Sequence, residues 1–208
     1  GILDKDAINR QDENITRGEF IYGLINLLGI GYTNEMAPFS DVGAGEKYAK
    51  SIHTAYELGL VSGYGDLTFR PYDEISTKTA ARLLCYVVGY KDLLEKGLPL
   101  ANACSDSEIC TKAEATSDKA LTVKDAARFL LNASNAYLVS PDVISQDSTS
   151  YKFQDETLIE STKDIVKVEG ILNANEFTYI NEENSLDKGY VMVDSVLLKT
   201  GLTNAVNL

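Results

Sequence analysis

The residue best placed to do chemistry in this chain is an arginine at the start of a helix. Residues 15 to 19 read I-T-R-G-E and run straight into F-I-Y-G-L-I-N-L-L. Thr16 and Glu19 have capping-box spacing, and Ile15 and Phe20 that of a hydrophobic staple, so a helix is expected to begin here. None of those roles needs Arg17. A cation in a first turn opposes the helix dipole by roughly 0.3–1 kcal/mol. Beside the unpaired N–H groups of a helix start, a guanidinium is instead suited to hold a carboxylate through charge-assisted hydrogen bonds. The competing local reading is a solvated arginine at a tolerant surface position.

Other chemistries find little support. His53 is the only histidine, and on an amphipathic stretch it reads as a packed or surface side chain rather than a catalyst. No phosphate loop, paired-cysteine metal site or nucleophile elbow occurs. The acidic runs D-E-N and N-E-E-N lack calcium-loop spacing and read as solvated surface. The reading is therefore no enzyme, no cofactor and no metal. Three cysteines are too few for a disulfide scaffold. Cys85 shares the apolar stripe of Ala81, Leu84 and Val88 and is expected to be a buried free thiol. Cys104 and Cys110 flank S-D-S-E-I, read as a polar loop, which an oxidising compartment could bridge or leave reduced.

Composition narrows the partners. With 44% hydrophobic and 24% charged residues, the chain has the make-up of a folded soluble protein rather than a disordered one. A formal charge of −12, with no Lys/Arg cluster, argues against nucleic acid. No run reaches the roughly 18 apolar residues of a membrane span. The chain opens at Gly1 in mid-motif and closes on G-L-T-N-A-V-N-L, an unfinished strand pattern. It is therefore expected to be a piece of a longer chain, from which an export signal could have been left off.

The elements that must position Arg17 come as a repeat. I-T-R-G-E-F-I-Y-G-L (15–24), I-S-T-K-T-A-A-R-L-L (75–84) and L-T-V-K-D-A-A-R-F-L (121–130) share one plan: an aliphatic residue, a hydroxyl, then a polar or acidic residue three positions on. The second and third also share A-A-R-x-L. Thr16, Ser76 and Thr122 are expected N-caps of three helices. Between the first two copies lie F-S-D-V (39–42) and E-K-Y-A-K-S-I-H-T-A-Y-E-L-G-L (46–60). The latter is an amphipathic helix with Tyr48, Ile52, Ala55 and Tyr56 facing the core, Lys47, Lys50, Ser51, Thr54 and Glu57 facing away, and Gly59 as the stop. Next comes the turn-rich S-G-Y-G-D-L-T-F-R-P (62–71), with a short extended T-F-R ended by Pro71.

F-S-D-V…Y-A…A-Y-E-L-G-L-V-S-G-Y-G-D-L-T-F-R-P-Y-D-E-I-S resembles the S-layer homology repeat of bacterial surface proteins, with Tyr48 where that family usually has tryptophan. I-T-R-G-E is similar to the family's T-R-A-E signature. The resemblance implies domains at 1–139 (a partial first repeat at 1–38, a second at 39–90 and a degenerate third at 91–139). The fold class it implies is α+β: an all-α bundle of pseudo-threefold symmetry, followed by the 140–208 region. It further implies a secreted protein held non-covalently on the bacterial cell wall through a peptidoglycan-linked, pyruvylated secondary polysaccharide. The signature arginine is the family's main ligand contact and corresponds to Arg17. Asp41, Ser62, Gly63 and Tyr64 match groove-lining positions, although a cap, a turn and a packed ring account for Asp41, Gly63 and Tyr64 equally well. The signature position holds Thr77 and Val123 in the other copies, followed by Lys78 and Lys124. Lys78 is a candidate substitute, weaker than a planar fork. The alternative is a structural or protein-interaction module of a surface layer that has lost glycan binding.

After Ser140 the pattern changes. Residues 140–208 carry 12 acidic against 5 basic side chains. S-Y-K-F (150–153), I-V-K-V-E-G-I-L (165–172), E-F-T-Y-I (176–180) and Y-V-M-V-D-S-V-L-L (190–198) are rich in β-branched and aromatic residues, predicting a small antiparallel β domain.

Overall fold

A computed structural model of the chain describes residues 2–141, 150–163, 172–174, 186, 190–193 and 196–199. A 3-10 turn at Lys5–Asn9 precedes helices α1 (Arg17–Leu28), α2 (Ala49–Glu57), α3 (Thr77–Cys85), α4 (Lys91–Glu95), α5 (Leu100–Asp106), α6 (Lys112–Ala115) and α7 (Val123–Asn135). A π-helical stretch, Tyr86–Tyr90, joins α3 to α4. Strands β1 (Tyr137–Pro141) and β2 (Tyr151–Thr157) form an antiparallel hairpin, with Val139 opposite Phe153 and an irregularity between Tyr137 and Val139. The short helix α8 (Leu158–Lys163) follows. The chain divides into two compact units, Gly1–Ile165 and Val166–Leu208, and the hairpin and α8 belong to the first together with the other helices. In the second unit β3 (Leu172–Ala174), β4 (Tyr190–Val193) and β5 (Val196–Lys199) form an antiparallel sheet in the order β3-β4-β5. The architecture is α+β. Of the predicted strands, 176–180 and all of 165–172 but Leu172 lie outside the described residues.

All three predicted caps form. Thr16 accepts from the Glu19 N–H while the Glu19 carboxylate accepts from the Thr16 N–H, a complete capping box. Ser76 caps onto the Thr79 N–H and Thr122 onto the Asp125 N–H. Phe20, Leu24, Leu84, Phe129 and Leu130 from the three helices are buried in one core.

The residues just before the helices are linked in a ring. The Ile15 N–H donates to the Leu121 carbonyl (2.9 Å), the Leu121 N–H to Ile75 (2.9 Å) and the Ile75 N–H back to Ile15 (3.2 Å). A second set runs alongside: Arg17 N–H to the Asp73 carbonyl, Thr77 to Lys119 and Val123 to Glu13, at 2.8–2.9 Å. Each inner helix therefore starts against a loop belonging to another copy of the plan. Backbone donors freed at three helix starts are satisfied by carbonyls that would otherwise be orphaned in three loops.

Helix α2 departs from the expected amphipathic division. Ser51 and Thr54, assigned to the outer face, are 2% and 3% exposed, while Tyr56 is 39% exposed. The reason is the segment after α1, which lies over the helix. The Thr54 hydroxyl donates to the Lys50 carbonyl (2.8 Å) and accepts from the Thr33 N–H (3.0 Å). His53 Nδ1 accepts from the Ala37 N–H (3.1 Å). Small polar groups that satisfy backbone can be buried without penalty, a possibility that hydrophobic periodicity does not register. The extended stretch expected at T-F-R (68–70) breaks at its last residue, Arg70, which has a positive φ of 60°.

Cys85 is the buried free thiol expected, and the difference lies at Cys104. Cys104 lies on α5 rather than in a polar loop, and Cys85, Cys104 and Cys110 are all buried free thiols. The Cys85 and Cys104 sulfurs are 3.4 Å apart.

Candidate functional site

Arg17 is the first residue of α1, and its half-buried side chain is held from three directions. Its Nε donates to the Phe69 carbonyl (3.0 Å), and its guanidinium lies over the Phe69 ring (4.7 Å) and the Tyr64 ring (5.1 Å). Among the described residues it forms no ion pair, and its two Nη groups have no hydrogen-bond acceptor. Burial pushes the guanidinium below its ordinary pKa, opposed by Tyr64 and Asp73. It nevertheless remains a cation, so a half-buried charge has no ion-pair partner among the described residues.

The expected N–H donors beside it are taken. The Arg17 and Gly18 N–H groups donate to the Asp73 and Pro71 carbonyls, both at 2.8 Å, and the Glu19 N–H goes to Thr16 Oγ1 (3.2 Å). An anion here would meet side chains and not a bare helix terminus, because the neighbouring loop folds its carbonyls onto the first turn. Gly18 lets that loop approach: an added methyl would lie 2.6 Å from the Tyr48 ring and 3.0 Å from the Pro71 oxygen.

Arg17 lines a cavity of about 240 Å³ between α1, α3 and the loop after α2. The walls include Ile21, Leu60, Val61 and Leu83, with Ser62 and Gly63 at the loop and Thr79, Arg82 and Tyr86 from α3 and its extension. Its volume lies just below the ~300–1,000 Å³ of sites for drug-sized ligands. Gly63 is required at φ 68°, where a side chain would also meet Phe39 at 2.4 Å. Of the residues the sequence pointed to, Arg17, Ser62 and Gly63 line this cavity and Tyr64 stacks on Arg17. Asp41 stands behind the loop, each carboxylate oxygen accepting one N–H, from Phe69 (2.8 Å) and Arg70 (2.7 Å). It therefore shapes the carbonyl that orients Arg17. Lys78 is not among the lining residues and lies 3.9 Å from Asp118. Sequence reasoning missed Arg82, Thr79 and Tyr86. The signal for Arg82 was its place in A-A-R-x-L, although the motif alone does not say which face it takes.

The same junction of helix, preceding loop and first residue of another helix recurs. At α1 the partner first residue is Val123. There Arg10 from the loop is ion-paired with Glu19 (2.5 Å), and the space left is about 10 Å³. At α7 the partner is Thr77, whose hydroxyl donates to the Lys119 carbonyl (3.0 Å), while Arg128 is held by Glu114 (2.6 Å) and Asp125 (2.9 Å). The junction at α3 has neither internal ion pair. A wider groove of about 320 Å³, lined by Ile8, Gln11, Lys124 and Ala127, lies between the 3-10 turn and α7 and has no guanidinium.

Among the described residues, no group of three or more His, Cys, Asp or Glu could hold a metal ion, and no helix is long and apolar enough to cross a membrane. The S-layer homology domain family matches residues 38–76. The chain is similar to endo-1,4-beta-xylanase A of Thermoanaerobacterium saccharolyticum, 37% identical over 71 residues. It is also similar to amylopullulanase of Thermoanaerobacterium thermosulfurigenes and exoglucanase XynX of Acetivibrio thermocellus, each 34% identical over 91 residues. The matched segments cover 34%, 42% and 42% of this chain but only 6%, 5% and 8% of those relatives. The chain thus carries an S-layer homology domain, a module that in general anchors surface proteins to the cell wall.

Proposed function

We propose that this chain is a non-catalytic cell-wall anchor that works outside the cell. Three S-layer-homology-like units (1–38, 39–90 and 91–139) close with pseudo-threefold symmetry and grip an anionic, pyruvylated polysaccharide linked to peptidoglycan. The ring of backbone hydrogen bonds through Ile15, Ile75 and Leu121 supports the closure. The observation that carries the function is Arg17: a desolvated cation, fixed by Phe69 and Tyr64, bordering a sugar-sized cavity with no protein counter-ion among the described residues. A carboxylate on the ligand completes its hydrogen bonding, and aliphatic walls receive the less polar face of the sugar. That the matched segments of three carbohydrate-active relatives are small parts of much longer chains accords with a module that carries other domains.

Retention on purified sacculi of a Gram-positive bacterium with pyruvylated wall polysaccharide tests the reading. Arg17→Ala is expected to weaken retention at least tenfold without changing the fold, as loss of a charge-assisted contact implies. Removing the ketal by mild acid is expected to weaken it as much. Unchanged retention in both arms would sink the mechanism.

A second reading is favoured by one observation. Two of the three junctions lack the signature arginine, holding Val123 and Thr77 instead, and both contain an internal ion pair. These faces fit protein contacts within a surface layer. Wild-type protein that ignores sacculi but self-associates would favour it.

A further inference from the structure

The geometry points to Arg82 as a second cationic contact of the α3 junction, freed for that role by the residue three positions before it; we propose that Arg17 and Arg82 together seat the anionic group of the ligand. This rests on the anchoring function proposed above and extends it to a residue outside the signature motif.

Arg82 and Arg128 occupy the same place in the two A-A-R-x-L copies, six residues after the capping hydroxyl. Arg128 is fully engaged. Its Nη2 donates to Asp125, at the third position of its own helix, and to Glu114 of the short helix α6. On α3 the third position is Thr79, whose hydroxyl is 2.8 Å from Ser76 Oγ and carries no charge. The facing loop offers Leu60, Val61 and Ser62 in place of a carboxylate. The Arg82 guanidinium consequently has no hydrogen bond or ion pair among the described residues, yet the residue is half-buried and lines the cavity that Arg17 borders. At the α1 junction the corresponding residue is Tyr22 and the third position is Glu19, which holds Arg10. Two junctions are neutralised from within. The α3 junction contains two guanidinium groups and no carboxylate among its lining residues, an arrangement that an anion from outside would neutralise.

The shared ligand chemistry is an anionic oxygen group on a saccharide, with the ring against the aliphatic wall. A carboxylate ketal and a phosphodiester both supply that chemistry.

The test uses the whole 208-residue chain and sacculi in three forms: untreated, mild-acid-treated to remove ketals, and hydrogen-fluoride-treated to remove phosphodiester-linked polymer. Arg82→Ala is expected to weaken retention about tenfold or more, with an unchanged melting curve. Thr79→Asp recreates the Asp125–Arg128 pair on α3 and is expected to weaken retention similarly while preserving or raising stability. Arg128→Ala, at a closed junction, should leave retention unchanged. Loss on mild acid assigns a carboxylate, and loss on hydrogen fluoride alone assigns a phosphate. Retention that survives both treatments overturns the cationic seat. If wild type is retained and Arg17→Ala is not, while Arg82→Ala and Thr79→Asp bind as wild type, the role of Arg82 is overturned and the anchoring function stands. If wild type itself is not retained, the anchoring function falls first. Should Arg82→Ala fail to fold, Thr79→Asp decides.

Discussion

An arginine keeps its charge across the pH range proteins meet, so half-burying Arg17 with no ion-pair partner among the described residues leaves it under-solvated. His53 answers the same demand differently, because imidazole can shed its proton. Its ring is 6% exposed, Nδ1 accepts from the Ala37 N–H, and Nε2 has no partner among the described residues. Burial therefore lowers its pKa below the ordinary 6.5. Above pH 6.5 both folded and unfolded chains hold neutral histidine; as pH falls below that value the unfolded chain gains a proton that the folded one resists, and stability drops until the folded value is passed. Urea unfolding across this window should show the decline, and His53→Gln should flatten that part of the profile. Arg17 was legible in sequence because it is the residue a capped helix does not require. Arg82 was visible but mute, since its meaning depends on whether Asp125 or Thr79 sits one turn earlier, and a motif shared by two copies hides the difference that matters.

The elements divide by how much their sequence specifies alone. α1, α3 and α7 start where hydroxyl caps predicted, because capping is a local contest among a few residues. α2 could not be oriented that way, as His53 and Thr54 accept backbone N–H groups of a covering segment, and Ser51 is buried as well. The stretch after α3 depends on a single close approach. Gly89 has φ 114°, and a methyl there would lie 2.1 Å from the Val139 carbonyl oxygen on β1. Gly89→Ala should destabilise the chain by well over the ~1–2 kcal/mol that left-handed backbone alone costs an L-residue. Gly31→Ala, where nothing lies within 4 Å, is the control and should shift the urea midpoint little. No strand propensity forecast that contact, because a glycine records only that something comes near.

At the scale of the molecule, the backbone ring ties together residues 15, 75 and 121, far apart in sequence. Its long-range closures carry an entropic penalty that only the complete core offsets. A truncation ending at residue 90 leaves the Ile15 N–H and the Ile75 carbonyl without their Leu121 partners and strips α7 from the core. Such a fragment should lack a cooperative melt by circular dichroism, whereas 1–165 should retain one. The three-copy plan was readable from sequence, but which copy meets which was not, since a repeat period carries no information about the order of docking.

The ring also bears on portability. The segment that matches the S-layer homology domain, residues 38–76, supplies Ser62, Gly63 and the Phe69 carbonyl, yet Arg17 comes from before it and Arg82 from after it. Grafted alone onto a carrier, that segment would bring the floor of the proposed site and leave Arg17 and Arg82 behind. On the proposed function, the smallest transferable tag is the closed ring, and such a chain would pass between proteins as a set of repeats or lose its grip in the exchange.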